Sequence, residues 1–141
     1  MSVKTILSLF LIIVLLPACY EDGPLISFRS KDKRVCGDWQ TSAIFINGEE
    51  HESEAEQRII RFLDDGSYLD VKGDSSTALY TNTGSWQFSE DKKQLLITIH
   101  DDFTGLDHTI AWDILRLAYK ELRLSNTSGS VTTGWWLERK E

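Results

Sequence analysis

The sequence predicts an all-β domain, an eight-stranded antiparallel up-and-down β-barrel, preceded by a signal-peptide helix. Three observations predict this fold. From Cys36 onward the apolar residues alternate with polar ones in short runs, which is the pattern of half-buried strands. Turn signals separate these runs at intervals of roughly 8–14 residues, as in sandwiches and barrels. A meander of neighbouring strands leaves two unpaired edges unless it closes on itself, so the sequence favours a barrel.

Eight strands follow from this pattern, at 39–46, 57–63, 67–72, 78–89, 94–100, 108–117, 121–127 and 131–139. The Asn-Gly pair at 47–48 ends the first strand with a tight-turn signal, and the Asp-Asp-Gly sequence at 64–66 predicts the clearest hairpin of the chain. Within the sixth strand the alternation changes phase, which predicts a bulge near Leu115. The acidic run 49–56 has no apolar stripe, so we expect a loop or one short turn there.

The N-terminus carries an apolar run at 6–16, which is 11 residues long and too short for a bilayer core that needs about 20. A lysine precedes this run, and the sequence Leu-Pro-Ala-Cys at 16–19 ends it, which resembles the bacterial lipoprotein signal. The resemblance implies that residues 1–18 are removed and that Cys19 is acylated. Pro17 departs from the pattern, which normally has Ala, Ser or Thr there. A secreted protein without acyl chains is the alternative interpretation.

The charge balance limits the partners of the mature chain. Removal of residues 1–18 takes away one basic residue, Lys4, and no acidic one, so the formal net charge changes from −7 to −8. Nucleic acid is excluded as a partner because its phosphates require a basic face. Attraction to anionic lipid is excluded for the same reason. The expected partner is therefore membrane lipid, reached through acyl chains on Cys19, because two or more chains give stable anchoring.

The N-terminal segment also predicts a cellular location and a domain boundary. We expect a lipid-anchored protein of the cell envelope, at the outer membrane, with residues 19–35 as the acylated cysteine and linker and 36–141 as the domain. The sequence at 20–22 resembles the surface-export signal of Bacteroidetes lipoproteins, and a solvated linker is the alternative. Three apolar residues within 25–28 would alternatively fold back on the domain. Cys36 has no cysteine partner, so it is either a small buried residue or a reactive thiol.

Five segments together resemble the lipocalin-like lipoproteins of Bacteroidetes, which are small lipid-anchored β-barrels. They are GDW at 37–39, IRFLDDG at 60–66, GSWQF at 84–88, WDILRL at 112–117 and ELRL at 121–124. The resemblance implies that Trp39 closes one end of the barrel and that Arg139 on the last strand covers its ring, as a cation–π contact. The chain departs from true lipocalins in being shorter, with no C-terminal helix and no disulfide.

The barrel interior is the first candidate site. The inward-facing residues expected to contact a ligand are Phe62, Trp86, Phe88, Trp112 and one of two adjacent tryptophans, taken as Trp135. Eight strands enclose a lumen that side chains either fill or leave open for one small ligand. Two interpretations therefore stay open: large aromatic residues fill the lumen, or they line an apolar cavity. We expect a small apolar or amphipathic ligand, with a filled barrel that serves as an envelope interaction module as the alternative.

Other candidate chemistry is weak. His100 and His108 flank a loop rich in aspartate, and in a hairpin they would face each other, a possible zinc site. Such loops are ordinarily solvated turns, so we expect no metal and no cofactor. No histidine lies near Cys36 in the sequence, the serines lie in turns or in the linker, and no pair of carboxylates stands in an apolar setting. We therefore expect a protein that is not an enzyme.

Overall fold

The structure is a computed structural model, and it describes residues 29–51, 58–72 and 79–141. One short helix, Lys31–Val35, precedes the strands. The strands are β1 Gly37–Ile46, β2 Glu49–Glu50, β3 Arg58–Phe62, β4 Ser67–Lys72, β5 Leu79–Phe88, β6 Gln94–Asp101, β7 Leu106–Leu117, β8 Glu121–Ser128 and β9 Val131–Arg139. The signal segment and Cys19 lie outside the described residues, as do the apolar residues within 25–28.

The described strands form a closed antiparallel barrel, which confirms the predicted fold class. Strands β3 to β9 each pair with their neighbour in sequence, and β1 pairs with β3 on one side and with β9 on the other. The β1–β9 pairing, which we call the closing seam, runs from Trp39 opposite Arg139 to Ile46 opposite Thr133. Because every strand of the ring then has two partners, the barrel leaves no long unpaired edge.

The two-residue strand β2 is an addition to the eight strands of the ring. It pairs with Phe45 and Ile46 at the end of β1, directly after the turn at 47–48. Residues Glu49 and Glu50, predicted to belong to a loop or short turn, therefore form a minimal strand. The remainder of that acidic run, 52–56, lies outside the described residues. We call the barrel end that carries the turn at 47–48 the mouth.

The opposite end, which we call the closed end, is covered by the short helix. Ser30 caps this helix by accepting a hydrogen bond from the backbone N–H of Lys33 at 3.4 Å. Val35, at its last position, is fully buried. The sequence placed these residues in the linker, so the structured part of the chain begins earlier than predicted. The reason is tertiary: a five-residue helix is unstable alone, and here its apolar residue packs against the barrel.

The described strand pairs contain three register shifts, of which one lies between Asp70 and Val71 in the β4–β5 pairing and the other two affect the ends of the ring. The first of these two lies between Ile114 and Arg116, leaving Leu115 64% exposed, and this confirms the bulge predicted near Leu115. The second lies between Thr41 and Ala43 in β1 and was not predicted. Each extra residue changes the phase of the alternation. As a result Leu117 returns to the core.

In the part of the chain that the structure describes, no helix combines the length and the apolar character required to cross a membrane.

Candidate functional site

The closed end is built around Trp39 and Arg139. Trp39 is fully buried, and its indole Nε1 donates a hydrogen bond to the carbonyl of Val35 at 2.7 Å. The guanidinium Cζ of Arg139 lies 4.5 Å from the centroid of the Trp39 ring. The predicted cation–π contact between these two residues is therefore present. It joins the first and last strands of the ring at the closed end.

Arg139 also binds the backbone around it. Its nitrogens donate to the carbonyls of Cys36 at 2.9 Å, Arg34 at 2.5 Å and Tyr119 at 2.7 Å. A Cβ at Gly37, whose φ is +135°, would lie 2.3 Å from Nη1 of Arg139. Glycine at this position thus provides the space for the guanidinium and adopts a φ that other residues rarely adopt. The side chain of Arg139 fastens the short helix and the β7–β8 turn to the closed end.

The closed half of the lumen is filled by aromatic and aliphatic side chains. Phe62 is fully buried and Trp86 is 8% exposed, with their ring centroids 5.7 Å apart in an edge-to-face arrangement. Tyr68 packs on Phe62 with centroids 5.6 Å apart. Burial, and secondarily the nearby carboxylate of Asp70, raises the pKa of Tyr68 well above its ordinary value. In this half the aromatic rings pack on one another as part of a continuous core, and Trp86 and Phe88 also border an open groove at the closed end.

Phe88 lies at the closed end, apart from the mouth. Its ring packs edge-to-face on Trp86 with centroids 5.8 Å apart, and it borders an open groove of about 700 Å³ beside the short helix. Cys36 lines the same groove, and burial raises the pKa of its thiol. The thiol is partly buried, and its raised pKa makes it less ionised than a free cysteine at neutral pH.

Toward the mouth the lumen contains a second pair of rings. Trp112 and Trp135 lie with centroids 5.4 Å apart and planes inclined by 49°. Trp135 is only 5% exposed, and its Nε1 donates to the hydroxyl of Thr41 at 3.1 Å. Trp112 faces the same interior but is only partly buried. The predicted residue Trp135 is thus the inward member of the adjacent tryptophans at 135 and 136, and Trp112 packs against the core at its margin.

A polar cluster adjoins these rings, and we define it as Arg58, Asp70 and Asn82. The guanidinium of Arg58 forms an ion pair with Asp70, its Nε lying 3.0 Å from each carboxylate oxygen. Asn82 donates from Nδ2 to Asp70 at 3.4 Å. The Asp70 side chain is 0% exposed and that of Arg58 is 32% exposed. The Cζ of Arg58 lies 5.2 Å from the Trp135 centroid.

Sequence reasoning missed this polar cluster. Strand β4 alternates Tyr68 and Asp70 with Leu69 and Val71, and apolar patterning favours the second pair as the inward one. The structure places Tyr68 and Asp70 inside, because they pair directly with the inward residues of β3, Phe62 and Ile60. The available signal was the register of the hairpin at 64–66, which puts Asp70 diagonal to Arg58 across the strand pair.

Both buried polar residues of the described core lie beside a register shift. Thr41 precedes the shift in β1, and Asp70 precedes the shift in the β4–β5 pairing, where the extra residue belongs to β5. Regular alternation from Trp39 and from Tyr68 already directs these two side chains into the barrel, and the shifts alter the pairing only beyond them.

A cavity opens at the mouth between β5, β6 and β7, and we call it the mouth cavity. It measures about 570 Å³, and its lining includes Asn82, Ile99, Asp101, Phe103 and His108. Asn82 belongs both to this lining and to the polar cluster, and the outward-facing residues Thr83 and His100 also line the cavity, so it lies across the rim of the barrel. Its size lies within the range of small-molecule sites, which span about 300–1,000 Å³.

The two histidines of the β6–β7 hairpin do not form the site that a hairpin was expected to allow. The ladder pairs Ile99 with His108 and His100 with Asp107, so the two imidazoles lie on opposite faces of the sheet. His100 Nδ1 is hydrogen-bonded to Asp107 at 2.7 Å, and this bond raises the pKa of the imidazole. Within 29–51, 58–72 and 79–141 no three potential ligands group around a metal position.

The outer face of the closing seam carries its own aromatic pair. Trp136 and Phe45 lie with ring centroids 4.5 Å apart, and the Cζ of Arg123 lies 4.2 Å from the Trp136 centroid. Phe45 packs over Gly134. A Cβ added at Gly134 would lie 3.3 Å from the Cβ of Phe45. The seam is therefore packed on both sides, by Trp135 inside and Trp136 outside.

No protein-family model matches this chain, and a search of curated proteins finds no match to it either. The geometry alone therefore defines what the site can do. The polar cluster adjoins the mouth cavity through Asn82, and the cavity itself combines the apolar side chains of Ile99 and Phe103 with carboxylates and imidazoles.

Proposed function

We propose that this protein is a lipocalin-like lipoprotein, tethered through acylated Cys19, whose barrel mouth binds one small apolar or amphipathic molecule. The closed eight-stranded barrel is compatible with such binding, because barrels of this size hold one small ligand when side chains do not fill them. In this proposal the protein carries no catalytic activity and binds no cofactor.

One observation carries the proposal: a cavity at the mouth adjoins the polar cluster, and that cluster packs on a tryptophan of the barrel interior. The cavity of about 570 Å³ is lined by Asn82, which donates to Asp70, and Arg58 of the same cluster lies over the ring of Trp135. Burying uncovered apolar surface is the ordinary source of affinity for such ligands, at about 25 cal/mol per Å². The ligand is expected to sit shallowly, since Phe62 and Trp86 fill the closed half.

Ligand binding is tested by native mass spectrometry of protein purified from its own host, followed by calorimetric titration of the molecule released. Ile99→Ala should weaken binding about tenfold or more, because it removes apolar surface that lines the mouth cavity. Ile59→Ala, on the outer face of β3, is the matched control and should leave the affinity unchanged. Equal loss in both variants would indicate a general effect on folding and would contradict a site at the mouth.

The anchor is a separate part of the proposal and has its own test. Metabolic labelling with a radioactive or alkyne-bearing fatty acid should mark the wild-type protein in the outer-membrane fraction. Cys19→Ala should abolish the label and move the protein to the soluble fraction, whereas Cys36→Ala should change neither. Label that persists in Cys19→Ala would contradict acylation at this residue.

A second candidate function is an envelope interaction module whose barrel is only a scaffold. It is favoured by Phe103, which is 98% exposed at the tip of the β6–β7 turn, where Asp101 accepts hydrogen bonds from the backbone of Phe103 and Thr104. Exposed aromatic residues on ordered turns are typical of protein contacts. Native mass spectra without any bound molecule, together with unchanged fluorescence of hydrophobic probes, would favour this second function.

A further inference from the structure

The geometry points to the charge of the ligand: the molecule that enters the mouth cavity carries a cationic polar end, an organic ammonium or guanidinium group, on an apolar body. This inference rests on the proposed function, because it concerns the same cavity. It is carried by the order of the side chains along β6, where apolar residues lead out of the core and a carboxylate stands at the rim.

The inward face of β6 changes from apolar to anionic as the strand reaches the mouth. Leu95 and Ile97 are buried in the core. Ile99 is partly buried against that core, and Asp101 is the next residue on the same face of the strand. Ile99 and Asp101 both line the mouth cavity. A ligand whose apolar body lies on Ile99 therefore brings its polar end beside the carboxylate of Asp101.

The charged side chains of the mouth cavity favour a cation. Asp101 and Asp102 line it, whereas no lysine or arginine of the described chain does. Hydrogen bonds from Thr104 and Phe103 lower the pKa of Asp101, so this carboxyl group is ionised at neutral pH. The side chain of Asp102 is 95% exposed, with His100 Nε2 3.8 Å from its carboxylate. The chain as a whole has a formal net charge of −7, which attracts cations and repels anions.

The uncharged part of the lining also suits an organic cation. Phe103 contributes a ring that is 98% exposed, and aromatic faces attract ammonium and guanidinium groups. The side-chain amide of Asn82 adds an oxygen that accepts hydrogen bonds from such groups. The cavity thus provides an apolar wall, an aromatic face and carboxylates for one amphipathic cation.

The test uses three probes that share one ring system and differ in charge: 2-naphthylmethylammonium, 2-naphthylmethanol and 2-naphthoate. Calorimetric titration of the purified protein at pH 8 should give the ammonium the lowest Kd, by about fivefold or more over the alcohol, and naphthoate the highest. The preference should shrink in about 0.5 M salt, because exposed charges are screened. Ile99→Ala should weaken the ammonium and the alcohol alike, which would place both in the mouth cavity.

Substitution of the two carboxylates separates charge from shape. Asp102→Asn should weaken the ammonium by about two- to fivefold and leave the alcohol unchanged, as expected for an exposed ion pair. Adding Asp101→Asn should remove the preference for the ammonium, while the amide oxygen of asparagine still accepts hydrogen bonds in the turn. Should the double variant fail to fold, Asp102→Asn alone tests the same direction of change.

An exposed carboxylate at the far end of the same strand pair supplies the matched control. Asp113 lies opposite Gln94 in the β6–β7 pairing, away from the mouth. Asp113→Asn removes the same charge and should leave all three affinities unchanged. Equal affinities for the ammonium and the alcohol, or a preference that the variants at Asp101 and Asp102 retain, would overturn the cationic assignment alone. If no probe binds the wild-type protein, or if Ile99→Ala does not weaken binding, the mouth site fails and the proposed function with it.

Discussion

At the scale of single residues, Arg139 contacts both the ring of Trp39 and the surrounding backbone at the closed end. It combines a cation–π contact with three hydrogen bonds to carbonyl oxygens. Arg123 makes a similar contact with Trp136 at 4.2 Å but lies on the outer face, with 37% of its side chain exposed. The two residues thus offer the same chemistry in two environments.

We predict that Arg139→Met lowers the free energy of unfolding by about 2–4 kcal/mol, because each hydrogen bond from a charged donor contributes about 1.5–3 kcal/mol before solvent competition. Arg123→Met should cost less than about 1 kcal/mol, since exposed pairs contribute little. Urea denaturation followed by tryptophan fluorescence measures both. Equal losses in the two variants would contradict the closing role of Arg139.

His100 provides a prediction on pH. Its hydrogen bond to Asp107 raises the imidazole pKa above 6.5, so the folded state favours the charged form. The stabilising contribution is therefore complete below the unfolded pKa and is lost as pH rises through the folded pKa. NMR titration should show the raised pKa, and Asp107→Asn should return it toward 6.5. An unchanged pKa in that variant would contradict the assignment of its cause.

At the scale of elements, the junction between the short helix and β1 depends on Gly37. An alanine there would place its Cβ 2.3 Å from Arg139 and would require a φ of +135°. We predict that Gly37→Ala destabilises the protein by about 2–4 kcal/mol, and by at least about 1 kcal/mol less when Arg139 is already methionine. A double-mutant cycle by thermal denaturation measures the coupling. Strictly additive losses would mean that Arg139 does not fill that space.

The elements differ in how far the sequence predicts them. The hairpin at 64–66 and the bulge at Leu115 follow from local patterns, and the structure has both. The short helix Lys31–Val35 was missed because its stability comes from the burial of Val35 and from no local pattern. The shift between Thr41 and Ala43 was missed because one extra residue leaves no mark in a short alternating run.

The candidate site was predicted less completely than the fold. The apolar character of aromatic residues predicts that they are buried, and the inward position of Trp135 is confirmed. It does not predict whether such residues fill the lumen or line a cavity. In the structure Phe62 and Trp86 are packed in the core, whereas Trp112 is only partly buried. Asp70 could not be assigned by hydropathy, because a carboxylate enters a barrel only when a partner such as Arg58 neutralises it.

At the scale of the whole molecule, the contacts of the ring are local except at one place. Each hairpin joins neighbours in sequence, whereas the closing seam joins Trp39 to Arg139 across almost the entire domain. Closing so long a loop costs chain entropy before its contacts form. The seam is therefore expected to form after the local hairpins.

We predict that Arg139→Met mainly accelerates unfolding and leaves the folding rate within about twofold of the wild type, as for a contact that is absent from the transition state. Phe62→Leu, in the local β3–β4 hairpin, should instead divide its effect between the two rates. Stopped-flow refolding and unfolding in urea measures this. A folding rate that falls by the full loss of stability in Arg139→Met would mean that the seam forms early.

The position of the short helix also decides at which end the polypeptide enters the barrel. The polypeptide enters the barrel at the end opposite its opening, since Val35 and Arg34 contact Trp39 and the carbonyl of Leu117 there. Under the proposed acylation of Cys19, the attachment would lie on the side of the closed end, and the opening would lie on the side away from it. Cargo would then be exchanged with soluble carriers or with free solution, and direct lateral uptake from the surrounding lipid leaflet would be disfavoured.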